Sequence, residues 1–226
     1  MVFSWIIFIA IAILSYIVQA SLKSKFEKYS KISLSNGMTG REVAEKMLRD
    51  NGIYDVRVIS TPGMLTDHFN PANKTVNLSE GVYSSCSVAA AAVAAHECGH
   101  AIQHNVNYAP LNIRSAIVPV ANIGSSLSWP IFLLGLIFSI PALTTAGIVL
   151  FSLAVLFQLV TLPVEFNASS RALKMLESTG ILSREENKGA KKVLTAAALT
   201  YVAALASSIL QLLRLLILSG GRRRDD

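Results

Sequence analysis

The residues best suited to chemistry form the run His96-Glu97-Cys98-Gly99-His100, in which two histidines stand four residues apart. On an α-helix this spacing places both imidazoles on one face, about one turn from each other. Two such imidazoles can bind one zinc ion, and the adjacent Glu97 can then act as general base on a water molecule that the metal activates. The pattern therefore predicts a catalytic site for one Zn²⁺ ion, with His96 and His100 as ligands.

The helix that carries these residues is predicted over 89–105. Every residue from Ala89 to Ala95 is alanine or valine, which indicates a buried helix. A buried helix that ends in His, Glu and His places polar groups in the protein interior without an obvious partner, and this costs free energy. A metal ion would satisfy these groups. The alternative is a helix that carries two histidines and a glutamate by coincidence.

The composition predicts a membrane protein. Of the 226 residues, 52% are hydrophobic and 15% are charged, and the mean hydropathy is +0.50. A soluble domain is typically more charged and less apolar. The net charge of +6 comes in part from three arginines at 222–224, beside an apolar stretch, where basic residues usually meet lipid head groups. Basic residues are not interleaved with aromatic ones, so no nucleic-acid partner is expected.

The segment 1–21 is predicted to be an N-terminal membrane anchor. Val2 to Ala20 is apolar over about the length that spans a bilayer. A cleaved signal peptide is the alternative, but it would need a basic residue before the apolar run. Four lysines follow the run instead, which places the next segment in the cytosol by the positive-inside tendency: Lys23, Lys25, Lys28 and Lys31.

The segment 22–115 is predicted to hold the chemistry. An amphipathic helix is expected within 36–53, capped near Thr39 and stopped by Asn51-Gly52. Strands are expected at 56–59 and 75–78, separated by a turn at 68–74. They would form a small sheet against the zinc helix, with an edge on which an extended peptide could add a strand. The apolar stripe of the amphipathic helix is Val43, Ala44, Met47 and Leu48.

The segment 116–163 is predicted to be a membrane hairpin, with helices near 116–140 and 142–162. A soluble helical hairpin is the weaker alternative, because charge is nearly absent there. A third-ligand helix is expected in 164–192, and 193–226 holds a last apolar helix and a basic tail. The number of crossings, three or four, stays open, because four would place the tail on the side opposite to the lysines. The expected fold is mainly α with a small β-sheet.

A catalytic zinc ion needs a third protein ligand. Glu165 is the first acidic residue after the apolar hairpin, and the hairpin returns it to the membrane face of the zinc helix. The alternative is a carboxylate that caps a helix start. His104 is set aside as a helix-end histidine, because it is rotated ~80° from His96 on the helix. His68 is expected in a surface turn, and Cys98 is expected to point away from both histidines.

Two motifs, HECGHAIQH and LPVEFNASSRAL, give the chain a resemblance to YugP-like membrane zinc metallopeptidases over nearly its whole length. More distantly it is similar to HtpX-type and CAAX prenyl gluzincin proteases, in which a glutamate on a later helix completes the zinc site. The resemblance implies Glu165 as third ligand. Those relatives usually carry an aspartate where this chain has Ser169, so Asn167 or Arg171 is expected to take over its orienting role.

The expected function is zinc-dependent hydrolysis of peptide bonds at the cell membrane, with the active site facing the cytosol. Glu97 is expected to be the general base, and Arg171 is expected to help stabilise the oxyanion. Substrates would be peptides or proteins, including membrane proteins, in a quality-control role. Two alternatives are a catalytically inactive zinc-bearing scaffold or chaperone-like protein, and a zinc transporter. The sequence leaves the oligomeric state open.

Overall fold

The structure is a computed structural model that describes the backbone of residues 2–220 and the side chains of residues 5–220. It confirms a mainly α-helical fold with one small sheet. The arginines at 222–224 lie outside the described residues. The elements are α1 (Val2–Ser30), α2 (Gly40–Asp50), β1 (Arg57–Thr61), β2 (His68–Asn70), β3 (Thr75–Ser79), α3 (Glu80–Tyr83), α4 (Val88–Asn105), α5 (Ala109–Ile137), α6 (Pro141–Ser178) and α7 (Arg184–Gly220).

The chain divides into two compact units. The hairpin unit comprises residues up to Val18, Asn112–Pro163 and the chain from Thr200 onwards. The α4 unit comprises Gln19–Leu111 and Val164–Leu199. These two units do not test the predicted division of the sequence into five segments, which stays a prediction.

Four of the described helices, α1, α5, α6 and α7, are long and apolar enough to cross a membrane. Within the hairpin unit, α5 and α6 are joined by a short turn in which Ser139 has φ 56°. Glycines let the two helices pack closely, since a Cβ at Gly147 would lie 2.7 Å from the Phe132 Cβ. Helix α5 begins at Ala109, earlier than the predicted start near residue 116. Pro110 does not prevent this, because it lies in the first turn of α5, where a missing N–H is tolerated.

Helix α6 does not end where the sequence turns polar. The prediction started a separate helix at Glu165, but α6 continues through Pro163 to Ser178. A proline inside a helix removes one backbone hydrogen bond without forcing the chain to stop. Gly180, with φ +67°, lies just beyond the C-terminal end of the helix.

The sheet of the α4 unit has the order β1-β3-β2, with β1 parallel and β2 antiparallel to β3. The strand β2 corrects the expectation that 68–74 is all turn. The turn begins only after Asn70, whose Oδ1 accepts hydrogen bonds from the N–H groups of Ala72 and Asn73. Three residues are too few for an alternating pattern to reveal the strand.

The core of the α4 unit forms between α2, α4 and the sheet. The predicted stripe of α2 is fully or almost fully buried, from Val43 to Leu48. Thr39 caps the helix as predicted: its Oγ1 accepts from the Glu42 N–H, and its own N–H donates to the Glu42 carboxylate. Because α2 packs on α4, this cap stabilises the core of the α4 unit.

The capping box predicts a pH-dependent loss of stability. The N–H and hydroxyl of Thr39 donate to Glu42 and hold the pKa of its carboxyl below its ordinary value of 4.5. A lowered pKa stabilises the fold above the unfolded value, and this contribution disappears as the pH falls through the folded value. With a chelator present, Glu42→Ala should lower the melting temperature at pH 7, and the gap to wild type should close below about pH 4.5. Glu80→Ala, at an exposed carboxylate, should give no pH-dependent gap.

Candidate metal centre

The helix α4 begins one residue after the serine that caps it. Ser87 accepts a hydrogen bond from the Ala90 N–H, so Cys86 lies before the helix. The run from Ala89 to Ala95 is buried, apart from the half-buried Val93, as its alanines and valines predicted. Small side chains let neighbouring helices approach α4 closely.

Helix α6 approaches α4 closely at Gly99. A Cβ on Gly99 would lie 2.7 Å from the Ala168 carbonyl oxygen and 3.1 Å from the Ala168 Cα. The α6 backbone therefore fills the space beside Gly99. This contact sets Glu165, about one helical turn before Ala168, and Ser169, the residue after it, against the histidine face of α4.

The side chains of His96, His100 and Glu165 converge. Glu165 Oε2 lies 3.2 Å from His96 Nε2 and 3.5 Å from His100 Nε2. One ligand atom from each residue lies within 4.8 Å of the others. Glu165 is only 2% exposed, so its carboxylate is almost removed from water. The glutamate predicted from hairpin topology therefore reaches both histidines.

This donor set fits zinc. Tetrahedral zinc with bonds of about 2.0–2.1 Å holds its ligand atoms roughly 3.3 Å apart, close to the two distances measured. Two imidazoles and one carboxylate leave a fourth position open, as in catalytic zinc sites. Burial lowers the pKa of His100, but its bond to Glu165 and the charges of Glu97 and Glu165 outweigh burial and raise that pKa. The cluster therefore favours a positive charge.

The orientation of His100 follows from a residue that the sequence interpretation missed. Gln103 is fully buried, and its Nε2 donates to the Val164 carbonyl at 2.8 Å. A carbonyl only accepts, so the Gln103 Oε1 must face His100 Nδ1, at 3.0 Å. His100 then carries its proton on Nδ1, and its Nε2 lone pair is free for a metal. The available signal was a buried glutamine one turn after His100 on the same helix face.

Ser169 orients the other histidine. Its Oγ lies 3.1 Å from His96 Nδ1, while His96 Nε2 faces Glu165. If Nε2 is the metal-binding atom, Nδ1 carries the proton and donates to the serine hydroxyl. The expectation that Asn167 or Arg171 replaces the missing aspartate is thus wrong for His96, because the serine itself makes the contact.

Asn167 and Arg171 extend the contacts of His100 instead. Asn167 Oδ1 accepts from Gln103 Nε2 at 3.0 Å and from Arg171 Nε at 2.7 Å. The Arg171 guanidinium lies 5.9 Å from the centroid of the Tyr108 ring. The chain of contacts from His100 through Gln103 and Asn167 therefore ends on a half-buried cation.

Glu97 lies beside the cluster but, unlike Glu165, is not bonded to a side chain of the described residues. Its side chain is 8% exposed, and it makes no hydrogen bond or ion pair with any side chain of residues 5–220. It is close enough to His100 to influence the pKa of that imidazole. A carboxylate that is nearly dehydrated and not held by a neighbour is available to accept a proton.

Three residues that the sequence interpretation set aside lie outside the cluster. His104 is exposed, with its ring 5.7 Å from the Phe69 ring, and His68 is exposed with Nδ1 2.8 Å from the Thr66 carbonyl. Cys98 is fully buried and donates to the Ala44 carbonyl at 3.6 Å. Burial raises the pKa of the Cys98 thiol well above its ordinary value of 9.0, so it stays protonated. Both cysteines are free.

Two comparisons with known proteins match nearly the whole chain. A family model described as "Putative neutral zinc metallopeptidase" matches residues 4–220. The chain is also 49% identical over 214 residues to "Putative membrane protease YugP" of Bacillus subtilis (strain 168), a match that covers 94% of this chain and 95% of that protein. No solved structure gives a significant match to this chain.

The contact at Gly99 predicts that a single methyl group disturbs the metal centre. Gly99→Ala should lower both the melting temperature and the zinc content, because backbone atoms of Ala168 would have to move. Alanine favours a helix over glycine by about 1 kcal/mol, so any destabilisation shows that the contact dominates. Gly81→Ala is the matched control, since a Cβ there meets open space. Full zinc content in the Gly99 variant would contradict the role given to this contact.

The hydrogen bonds to the two Nδ1 atoms predict graded losses of zinc affinity. Ser169→Ala removes one bond to His96, and Gln103→Leu removes the acceptor of His100 and the donor to the Val164 carbonyl. Competition with a chromogenic chelator should show affinities weaker by about tenfold for the first variant and up to about a hundredfold for the second. Ser170→Ala, at an exposed neighbour of Ser169, should match wild type. Equal affinities in all variants would show that neither contact strengthens zinc binding.

Proposed function

This chain belongs to the family of neutral zinc metallopeptidases, which confirms the resemblance drawn from its two motifs, and on that premise we propose that it is a membrane-bound zinc endopeptidase. His96, His100 and Glu165 hold one Zn²⁺ ion in this proposal. The observation that carries it is the convergence of a glutamate, distant in sequence, on two histidines of the HExxH pattern. A glutamate as third ligand on a later helix makes the site gluzincin-like.

Glu97 acts as the general base of the reaction. Bound zinc supplies a Lewis acid that lowers the pKa of water and polarises the scissile carbonyl. Glu97 takes a proton from the attacking water onto its carboxylate and then gives it to the leaving amine. Its burial and its lack of a hydrogen-bonding side chain among residues 5–220 keep the carboxylate available for this transfer.

Arg171 helps to stabilise the oxyanion that forms on the carbonyl. Its Nε is committed to Asn167, but its two Nη groups make no hydrogen bond to any described residue. They are therefore available to donate to a developing negative charge. The same residue positions His100 indirectly, because the Asn167 amide that it fixes is bonded to Gln103.

The substrate is an extended, partly apolar polypeptide. A cavity of about 420 Å³ is lined in part by Ser169, which bonds His96, and by apolar side chains of α6 and α7, among them Phe166, Leu173 and Leu194. The strands β1 and β2 are the outer strands of the sheet, and either could add a peptide strand. Because the chain has helices suited to the membrane, its substrates are membrane proteins or unfolded segments near lipid, in a quality-control role.

The active site faces the cytosol in this proposal. The lysines that follow the apolar part of α1 support that orientation by the positive-inside tendency, and they belong to the α4 unit that holds the cluster.

A structural zinc site in a non-enzymatic scaffold is the competing function. Structural zinc usually has four protein ligands. Among residues 5–220, three side chains of the types that bind metals meet at the cluster. Cys98 is not one of them, because its thiol donates to the Ala44 carbonyl. The three-ligand arrangement therefore favours the enzyme.

Glu97→Gln should separate catalysis from metal binding. With casein or a membrane protein as substrate, cleavage should fall by at least about a hundredfold while zinc content stays equal to wild type, because the general base is lost but the ligands remain. Glu165→Ala should lose both activity and zinc. His104→Ala is the control, since this histidine lies outside the cluster and should keep both.

The outcomes distinguish the proposals. Loss of zinc in Glu97→Gln would make Glu97 a ligand and not a base. Full zinc binding in Glu165→Ala would remove the third ligand. Zinc-loaded wild type that cleaves no substrate, and whose zinc is lost with Glu165→Ala, would favour the scaffold.

A further inference from the structure

A second cavity of the α4 unit has a different chemistry from the metal centre. Its volume is about 460 Å³, and it lies between the polar ends of α1 and α7. None of the metal-cluster residues lines it. Its lining residues are Ser21, Lys25, Lys188, Lys191, Lys192, Thr195, Ala196 and Leu199.

The charge of this cavity is not balanced by the described residues. Lys188 Nζ pairs with Glu185 Oε1 at 2.6 Å. Lys25, Lys191 and Lys192 make no hydrogen bond or ion pair with any residue of the part that the structure describes. Four ammonium groups around one cavity, with a single carboxylate beside them, repel one another. An anion bound between them would relieve that repulsion.

The packing of the helices holds the lysines together. Gly189 follows Lys188, and a Cβ there would lie 2.9 Å from the Tyr29 Cε1 atom on α1 and 3.1 Å from the Val88 Cγ1 atom on α4. Both Gly189 and Tyr29 are buried. The close approach of α7 to α1 at this point is therefore a packed contact, and it places the lysines of α7 beside Lys25.

The other end of the cavity is apolar. Ala196 and Leu199 lie one and two turns beyond Lys192 on α7 and provide carbon surface, while Ser21 and Thr195 provide hydroxyl donors. Both α1 and α7 are helices suited to the membrane. Along these helices the cavity presents first lysines, then hydroxyls and then an apolar surface. This order matches a lipid with a phosphate head and acyl chains. Free phosphate would leave the apolar part without a complement.

We propose that this lysine cavity, lined by Lys25, Lys188, Lys191 and Lys192, binds the phosphate of an anionic phospholipid. The bound lipid places its phosphate among the ammonium and hydroxyl groups and the start of an acyl chain against Ala196 and Leu199. This site shares no residue with the metal cluster, and lipid binding can be tested without the proposed peptidase activity.

The test is a lipid titration of the full-length protein in neutral detergent micelles, followed by native mass spectrometry. The probes are dioctanoyl phosphatidylglycerol, dioctanoyl phosphatidylcholine, inorganic phosphate and hexaglutamate. Phosphatidylglycerol should bind to wild type, and at least about tenfold more weakly to K25Q/K188Q/K192Q. K25R/K188R/K192R should bind like wild type, because it keeps the charges. Lys191 is left intact because it also lines the cavity beside Ser169.

The matched control is K23Q/K28Q/K31Q, which removes three charges from lysines that do not line the cavity. It should bind phosphatidylglycerol within about twofold of wild type. Three results would overturn the proposal: equal loss in both glutamine triples, which indicates general charge attraction; inorganic phosphate binding as tightly as phosphatidylglycerol; or hexaglutamate binding without lipid binding, which indicates an acidic protein partner. Equal melting temperatures of the variants show that folding is unaffected.

Discussion

The contact on which the site depends is the approach of α6 to α4 at Gly99 and Ala168. It lets the Glu165 carboxylate reach two imidazoles in a place almost closed to water. A buried carboxylate is costly unless it is paired, and here its partners are His96 and His100. Without a glycine at this position the backbones would stay further apart, and the carboxylate would lie beyond bonding distance.

The remaining polar groups of the centre are arranged around that contact. Gln103 links the His100 imidazole to the Val164 carbonyl just before Glu165, so the orientation of this proposed ligand on α4 is tied to the backbone that carries the proposed third ligand. Ser169 does the same for His96 from the turn after Glu165. Helix α6, which also supplies the carboxylate, therefore orients His96 directly through Ser169 and His100 indirectly through Gln103 of α4. The proposed metal site accordingly couples metal affinity to helix packing.

Much of the architecture could be predicted because its cause is local. The four-residue spacing of the histidines, the alanine run before them and the stripe from Val43 to Leu48 each depend on helix geometry alone. Glu165 could be predicted from the length of the apolar hairpin, which returns the chain to its starting side. These features need only periodicity, burial and chain reach.

The features that could not be predicted depend on contacts between distant residues. Ser169 and Gln103 become orienting groups only once the helix register fixes which atoms meet. The strand β2 is three residues long and is stabilised by its partner β3, not by its own pattern. The continuity of α6 through Pro163 runs against the tendency of proline to interrupt a helix interior.

The measurement that tests the central claim most directly is X-ray absorption spectroscopy at the zinc edge of the purified, zinc-loaded protein. The account predicts nitrogen and oxygen neighbours at about 2.0–2.2 Å, with outer-shell scattering from two imidazoles and no sulfur. A sulfur neighbour at about 2.3 Å would place the metal on Cys86 or Cys98 and would contradict a centre built from His96, His100 and Glu165.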